Sequence, residues 1–213
     1  FKDISHLIKS NNSRLSYGVA VTDIDNDDKF EFIITGYRYP NLALSYKNNK
    51  LENIVLNKVF ADQDRQAIGV AACDLDLDGK EEIYILNTDS FSGKKIYSDR
   101  LLDFDKKKVV DLFEDKKNKD VLNFTAGRSV ACVDRKGDGK YSIYVSNYGG
   151  PSRLYGIEGK KIVDEAPSLN IDKIVGGRAV VAGHILSEKM DIFASNERGP
   201  NYLYKNINKK YVN

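Results

Sequence analysis

The sequence predicts an all-β fold, a β-propeller with four four-stranded blades in view, and three observations predict it. A strand–loop–strand unit recurs at residues 18–36 (GVAVTDIDNDDKFEFIITG), 69–87 (GVAACDLDLDGKEEIYILN), 127–147 (GRSVACVDRKGDGKYSIYVSN) and 177–196 (GRAVVAGHILSEKMDIFASN). Its loops start at positions 23, 74, 134 and 184, and a spacing of that size between strand-rich repeats is the mark of propeller blades. Helical periodicity of useful length is absent, which excludes an α/β reading.

After each hairpin comes a turn and a third strand. The turns Tyr39-Pro40-Asn41, Gly150-Pro151-Ser152 and Gly199-Pro200-Asn201 use Pro to preset φ and a small or polar residue to close the corner. Third strands are expected at 42–46, 153–155 and 202–204; in the second repeat a longer connection from Ser92-Gly93 ends near Phe104. A lysine-rich turn then leads to a fourth strand at 51–55, 109–113, 161–164 and from Tyr211 onward. The blades so defined cover residues 18–65, 66–124, 125–174 and 175–213. Residues 1–17 precede them, with 1–5 expected as a strand that closes a ring. The chain stops inside its last strand, so it is expected to be part of a longer propeller.

Net charge of +2 indicates neither a nucleic-acid-binding stripe nor an acidic tail. No run approaches the roughly 20 apolar residues of a membrane helix, so membrane insertion is not expected. The opening Phe-Lys-Asp-Ile-Ser has no initiator Met and no signal peptide, as in a mature secreted protein or an excised piece. Cys73 stands one residue before its loop aspartate and Cys132 two before. Strand alternation then points them to opposite faces, and two buried free thiols are expected.

The loops carry the chemistry. Loop one places carboxylates at positions 1, 3, 5 and 9 (Asp23, Asp25, Asp27, Glu31) and a backbone carbonyl at position 7 (Lys29). Loop two repeats the pattern with Asp74, Asp76, Asp78, Glu82 and Lys80. Hard oxygen donors at this spacing suit Ca²⁺, and three aspartates within five residues repel one another without a cation. The flanks are strands, so these are not EF-hands. Loop three has Lys136 at position 3, where its ammonium is expected between Asp134 and Asp138 in place of an ion. Loop four, with His184, Leu186 and Glu188, has lost the pattern; a lone His184 reads as structural rather than as a zinc ligand.

No catalytic constellation stands out: the serine-hydrolase elbow, the zinc-protease helix and the phosphate loop are all missing. Arg128 and Arg178 open two inner strands, where they either hold an anion in the channel or bond neighbouring carbonyls. Asn11-Asn12-Ser13 and Asn123-Phe124-Thr125 are glycosylation acceptors in a secreted chain. Tyr37, Arg38, Tyr39, Phe91, Tyr148 and Arg198 fall in the loops joining second to third strands, and these residue types dominate interfaces.

The repeats resemble the FG-GAP/VCBS propellers, which include the integrin α-chain head. The wording of YGVAVTDIDNDDKFEFIITGYRYPNL, GVAACDLDLDGKEEIYILNT, AGRSVACVDRKGDGKYSIYVSNY and DIFASNERGPNYLY is similar to the cartilage acidic protein family, over essentially the whole chain. The resemblance implies a secreted matrix or cell-surface protein with a seven-bladed propeller, and for the neuronal member antagonism of the Nogo receptor. The later blades, the ASPIC/UnbV segment and the EGF-like module of that pattern are not in this sequence, which is mildly basic. The expected function is therefore non-enzymatic: an extracellular calcium-binding propeller for adhesion or receptor binding, with a protein receptor or matrix ligand as partner. A lyase- or sialidase-type propeller enzyme acting on glycans is the alternative.

Overall fold

The computed structural model describes residues 1–54, 56–105 and 108–212. Sixteen strands form four antiparallel units in chain order. The first unit is β1 (Val19–Thr22), β2 (Glu31–Ile34), β3 (Leu42–Lys47) and β4 (Lys50–Asn53). The second is β5 (Ala67–Cys73), β6 (Glu82–Asn87), β7 (Arg100–Asp105) and β8 (Lys108–Asp111). The third is β9 (Gly127–Val133), β10 (Ser142–Pro151), β11 (Arg153–Glu158) and β12 (Lys161–Asp164). The fourth is β13 (Ile174–Gly183), β14 (Asp191–Asn196), β15 (Tyr202–Ile207) and β16 (Lys210–Val212). Within each unit every strand pairs with the next, and β10 extends far enough to pair with β13 as well.

The first strands of the units lie side by side, β1 next to β5, β5 next to β9, β9 next to β13. Each unit opens on a glycine because these strands approach closely. A Cβ on Gly18 would come within 2.9 Å of the Gly69 backbone, and one on Gly177 within 2.5 Å of the Asn147 carbonyl oxygen.

The core is divided among three seams between neighbouring units. Ile33 and Ala43 of unit one meet Val70, Ile83, Ile85, Leu102 and Phe104 of unit two. Ala71, Tyr84, Leu86 and Leu101 of unit two meet Ile143, Val145, Tyr155 and Ile157 of unit three. Tyr144 and Leu154 of unit three meet Ile192, Ala194 and Tyr204 of unit four. Successive residues of β6 thus alternate between two seams, which is why all six of its residues are buried. Each large side chain so buried contributes about 2 kcal/mol of hydrophobic stabilisation.

That layered arrangement overturns the expectation of two free thiols: Cys73 and Cys132 form a disulfide across the second seam, with Cα atoms 6.3 Å apart. Opposite faces of corresponding strands are the faces that meet when one sheet stacks on the next. The alternation argument assigned the faces correctly and drew the wrong conclusion from them.

The first residues also depart from expectation. Residues 1–5 include no strand; Ser5–Leu7 is a single 3-10 turn, and Ile8 makes a parallel bridge to Leu51 on the outer strand of unit one. The fourth strand expected at 109–113 ends at Asp111, whose carboxylate accepts the Phe113 N–H (3.0 Å) and turns the chain into a 3-10 helix, Leu112–Glu114. Val55, the expected end of another fourth strand, lies outside the described residues. One short helix, α1 (Lys58–Ala61), starts at Asn57, whose side chain accepts the Phe60 N–H (3.0 Å).

Candidate functional site

Antiparallel connection puts the acidic loops at one end of the four units together with the turns between third and fourth strands. The loops joining second to third strands lie at the other end.

At the acidic end the first three loops share one backbone shape. Positions 4 and 6 adopt positive φ: Asn26 and Asp28 (56° and 63°), Leu77 and Gly79 (67° and 85°), Gly137 and Gly139 (68° and 84°). This double left-handed turn folds the loop back on its first aspartate. Asp23 accepts the N–H groups of Asp27 (3.1 Å) and Asp28 (2.9 Å). Asp74 accepts those of Leu77 (2.6 Å) and Gly79 (3.0 Å), and Asp134 those of Gly137 (2.6 Å) and Gly139 (3.0 Å). In loops one and two the turn gathers three carboxylates: ligand oxygens of Asp23, Asp25 and Asp27 lie within 4.8 Å of one another, as do those of Asp74, Asp76 and Asp78.

The position-9 glutamates, expected as ligands, are not among the oxygens of these triads, and each spends one carboxylate oxygen on its own loop. Glu31 and Glu82 are buried, and each accepts the N–H of loop position 2, Ile24 (3.1 Å) and Leu75 (2.7 Å). In loop four Asp191 accepts different N–H groups, those of Leu186 (2.6 Å) and Ser187 (3.0 Å). Burial, with Asp76, Asp103 and Asp74 nearby, pushes the Glu82 carboxyl up to about 8; burial and then Asp25 and Asp27 raise Glu31. The second carboxylate oxygen of Glu31, Oε1, is buried with no donor among the described residues. Lys29 and Lys80 sit at position 7 as expected; the Lys29 ammonium folds onto Asp27 (3.0 Å).

Loop three corrects one expectation. Among the described residues Lys136 forms no ion pair, and Asp134 is satisfied by backbone N–H groups instead of an ammonium. In loop four the His184 Nδ1 bonds the Glu188 carbonyl at 2.9 Å, a link within the loop.

The opposite end collects arginines on aromatic rings. Arg14 lies over Tyr39, Arg38 over Tyr37 and Arg65 over Tyr97, with guanidinium-to-ring distances of 5.6, 5.7 and 5.5 Å. Arg128 covers Phe91 and Tyr148 (5.4 and 5.3 Å), and Arg178 approaches Tyr148 from the next unit (5.1 Å). Arg128 also bonds carbonyls, as one sequence alternative held: its Nη1 donates to Gly127 O (2.8 Å) and Thr88 Oγ1 (3.1 Å), and its Nη2 to the Phe91 carbonyl. The contacts of Arg128 and Arg178 join residues from different repeats, which is why sequence reading lists those residues and misses their stacks.

Of the two glycosylation triplets, Asn11 is exposed. Asn123 is fully buried and donates to Asp99 (2.6 Å) and Asn147 (3.0 Å), so its amide is closed to a glycosyltransferase in the folded chain.

The chain is similar to cartilage acidic protein 1. Over 92% of its residues it is 46% identical to that protein from Xenopus tropicalis, 45% to the one from Homo sapiens and 44% to the one from Mus musculus. The chain spans about a third of the length of these relatives. No known family profile matches it.

Proposed function

We propose that this chain is part of a non-enzymatic, extracellular, calcium-binding β-propeller of the cartilage acidic protein family, working in adhesion or receptor binding. The observation that carries the calcium reading is the pair of aspartate triads, each on a loop whose backbone is shaped around its first carboxylate. The donor set fits: oxygen only, three carboxylates per loop, and in loop one a further buried oxygen, Glu31 Oε1, that lacks a donor. Asp23, Asp25 and Asp27 would hold one ion and Asp74, Asp76 and Asp78 another, with the carbonyls of Lys29 and Lys80 as further donors. The ions would neutralise the loops and lock their turns.

The reading of further blades beside these four draws support from the flanks. Val19, Val21 and Phe32 of unit one and Val181 and Phe193 of unit four are exposed on strands whose counterparts in units two and three are covered. The Cys73–Cys132 disulfide suits an oxidising, extracellular compartment. The arginine–aromatic end supplies the recognition surface for a protein receptor or matrix ligand, the Nogo receptor among the candidates that the resemblance implies.

Calorimetric titration with CaCl₂ tests the metal reading. Two ions are expected to bind, and Asp23→Ala or Asp74→Ala should each remove one. Absence of a binding heat at millimolar Ca²⁺ would overturn it.

A further inference from the structure

The cluster around Tyr148 is built from three repeats and is polarised in charge. Tyr148 ends the regular register of β10 and presents its ring between two guanidinium groups, Arg128 from β9 at 5.3 Å and Arg178 from β13 at 5.1 Å. Phe91, from the β6–β7 loop, packs on the same ring at 5.5 Å and is widely exposed. Arg178 has an anionic partner: Glu197 Oε2 lies 2.7 Å from its Nη2. Arg128 forms no ion pair among the described residues and feels Glu197 only at longer range; the Gly127, Thr88 and Phe91 oxygens take three of its N–H groups and leave one Nη2 proton for a further acceptor. Two cations and one anion therefore surround one ring, and the molecule itself shows how a carboxylate sits there.

We infer that Arg128, with Tyr148 and Phe91, forms the vacant half of a two-arginine carboxylate site that receives an Asp or Glu side chain of an acidic partner segment. The inference rests on the reading that this end of the units is the recognition end, and it adds the partner's chemistry. A planar guanidinium held by the Thr88 and Gly127 oxygens and by two rings is already oriented, so little freedom is lost when a carboxylate arrives. A sulfated polysaccharide is the less suitable occupant, because it needs cations in a row. Here Arg128 and Arg178 share the Tyr148 ring with the Glu197 carboxylate beside them, which repels a polysulfate.

The test uses the full chain and a fluorescein-labelled peptide of alternating Glu and Tyr, with a Gln-Tyr peptide and a heparin-derived oligosaccharide as comparison probes. Fluorescence anisotropy should show the Glu-Tyr peptide bound about tenfold more tightly than the Gln-Tyr peptide, with affinity falling as salt rises. Arg128→Gln should weaken binding about tenfold, and Glu197→Gln should strengthen it by freeing Arg178. Arg128→Lys, which retains the charge and loses the fork, should give an intermediate loss; all variants should first show the parent melting curve. Unchanged binding in Arg128→Gln, or preference for the oligosaccharide, overturns the inference. If Arg128→Gln is silent while Arg38→Ala with Tyr39→Ala weakens the peptide, the recognition end stands and only the carboxylate site falls. If only acidic-loop variants weaken it, both fall.

Discussion

The ammonium of Lys95 sits on the carboxylate of Asp99, and neither side chain exposes any surface. Asp99 also accepts the Asn87 N–H (2.7 Å), the Tyr84 hydroxyl (2.7 Å) and the Asn123 amide (2.6 Å), while Lys95 donates to the Asn87 carbonyl (2.8 Å). This network ties the β6–β7 connection to the segment that leads into β9. Removing one partner strands a charge in a dry site. Lys95→Met should destabilise the fold by about 3 kcal/mol in urea unfolding. A loss below about 1 kcal/mol would show that water reaches the pair.

Chelation should lower the melting temperature. With a Kd of roughly 10⁻⁴ M and Ca²⁺ near 10⁻³ M, each proposed ion stabilises the fold by about 1.4 kcal/mol. Two ions then amount to a shift of about 5–10 °C for a chain of this size. Differential scanning calorimetry in excess EDTA measures it, and superimposable curves would contradict calcium binding.

The disulfide joins residues 59 apart in sequence, so the chain-entropy account assigns it about 4 kcal/mol. Cys73→Ser should unfold at lower urea concentration, and the parent chain should show no free thiol towards a maleimide after denaturation without reductant. Two titratable thiols in that assay would restore the reading drawn from strand alternation.

Alkaline titration should reveal the seam tyrosines. Tyr84, Tyr144, Tyr155, Tyr204 and Tyr211 are all buried, and desolvation raises each phenol above its ordinary value of about 10. A raised folded-state pKa means stability is fully present below the unfolded value and is lost as pH climbs beyond it. Phenolate absorbance should therefore show these five ionising only with unfolding, above about pH 10. Gradual ionisation of all 13 tyrosines in the native state would show that the seams open.

The two ends of the units should be separable by mutation. Arg38→Ala with Tyr39→Ala is expected to weaken binding to an immobilised candidate receptor in surface plasmon resonance, while the EDTA-induced melting shift stays intact. Loss of binding confined to Asp23→Ala or Asp74→Ala would place recognition at the acidic end.

Much of the architecture was legible because each unit carries its own local instructions. The period-2 strands, the Pro-containing corners and the opening glycines reproduce the observed strand order, and the aspartates at loop positions 1, 3 and 5 come together as their spacing requires. Local signals also misled. The run 109–113 has strand composition, yet Asp111 caps the next turn; residues 1–5 have strand composition, yet no neighbour pairs with them.

By itself, then, the sequence determined what short-range physics determines: where strands start and stop, where the chain can turn, and which carboxylates share a loop. Only the tertiary structure decided the relations between units. It turned the opposite-facing Cys73 and Cys132 toward each other across a seam, buried Asn123 beneath Asp99, and brought Arg128 and Arg178 to the two sides of Tyr148. The physical reason is that stacking one sheet on the next pairs the front of one with the back of its neighbour. Those pairings link residues between 20 and 59 positions apart, distances at which strand alternation and turn chemistry carry no information.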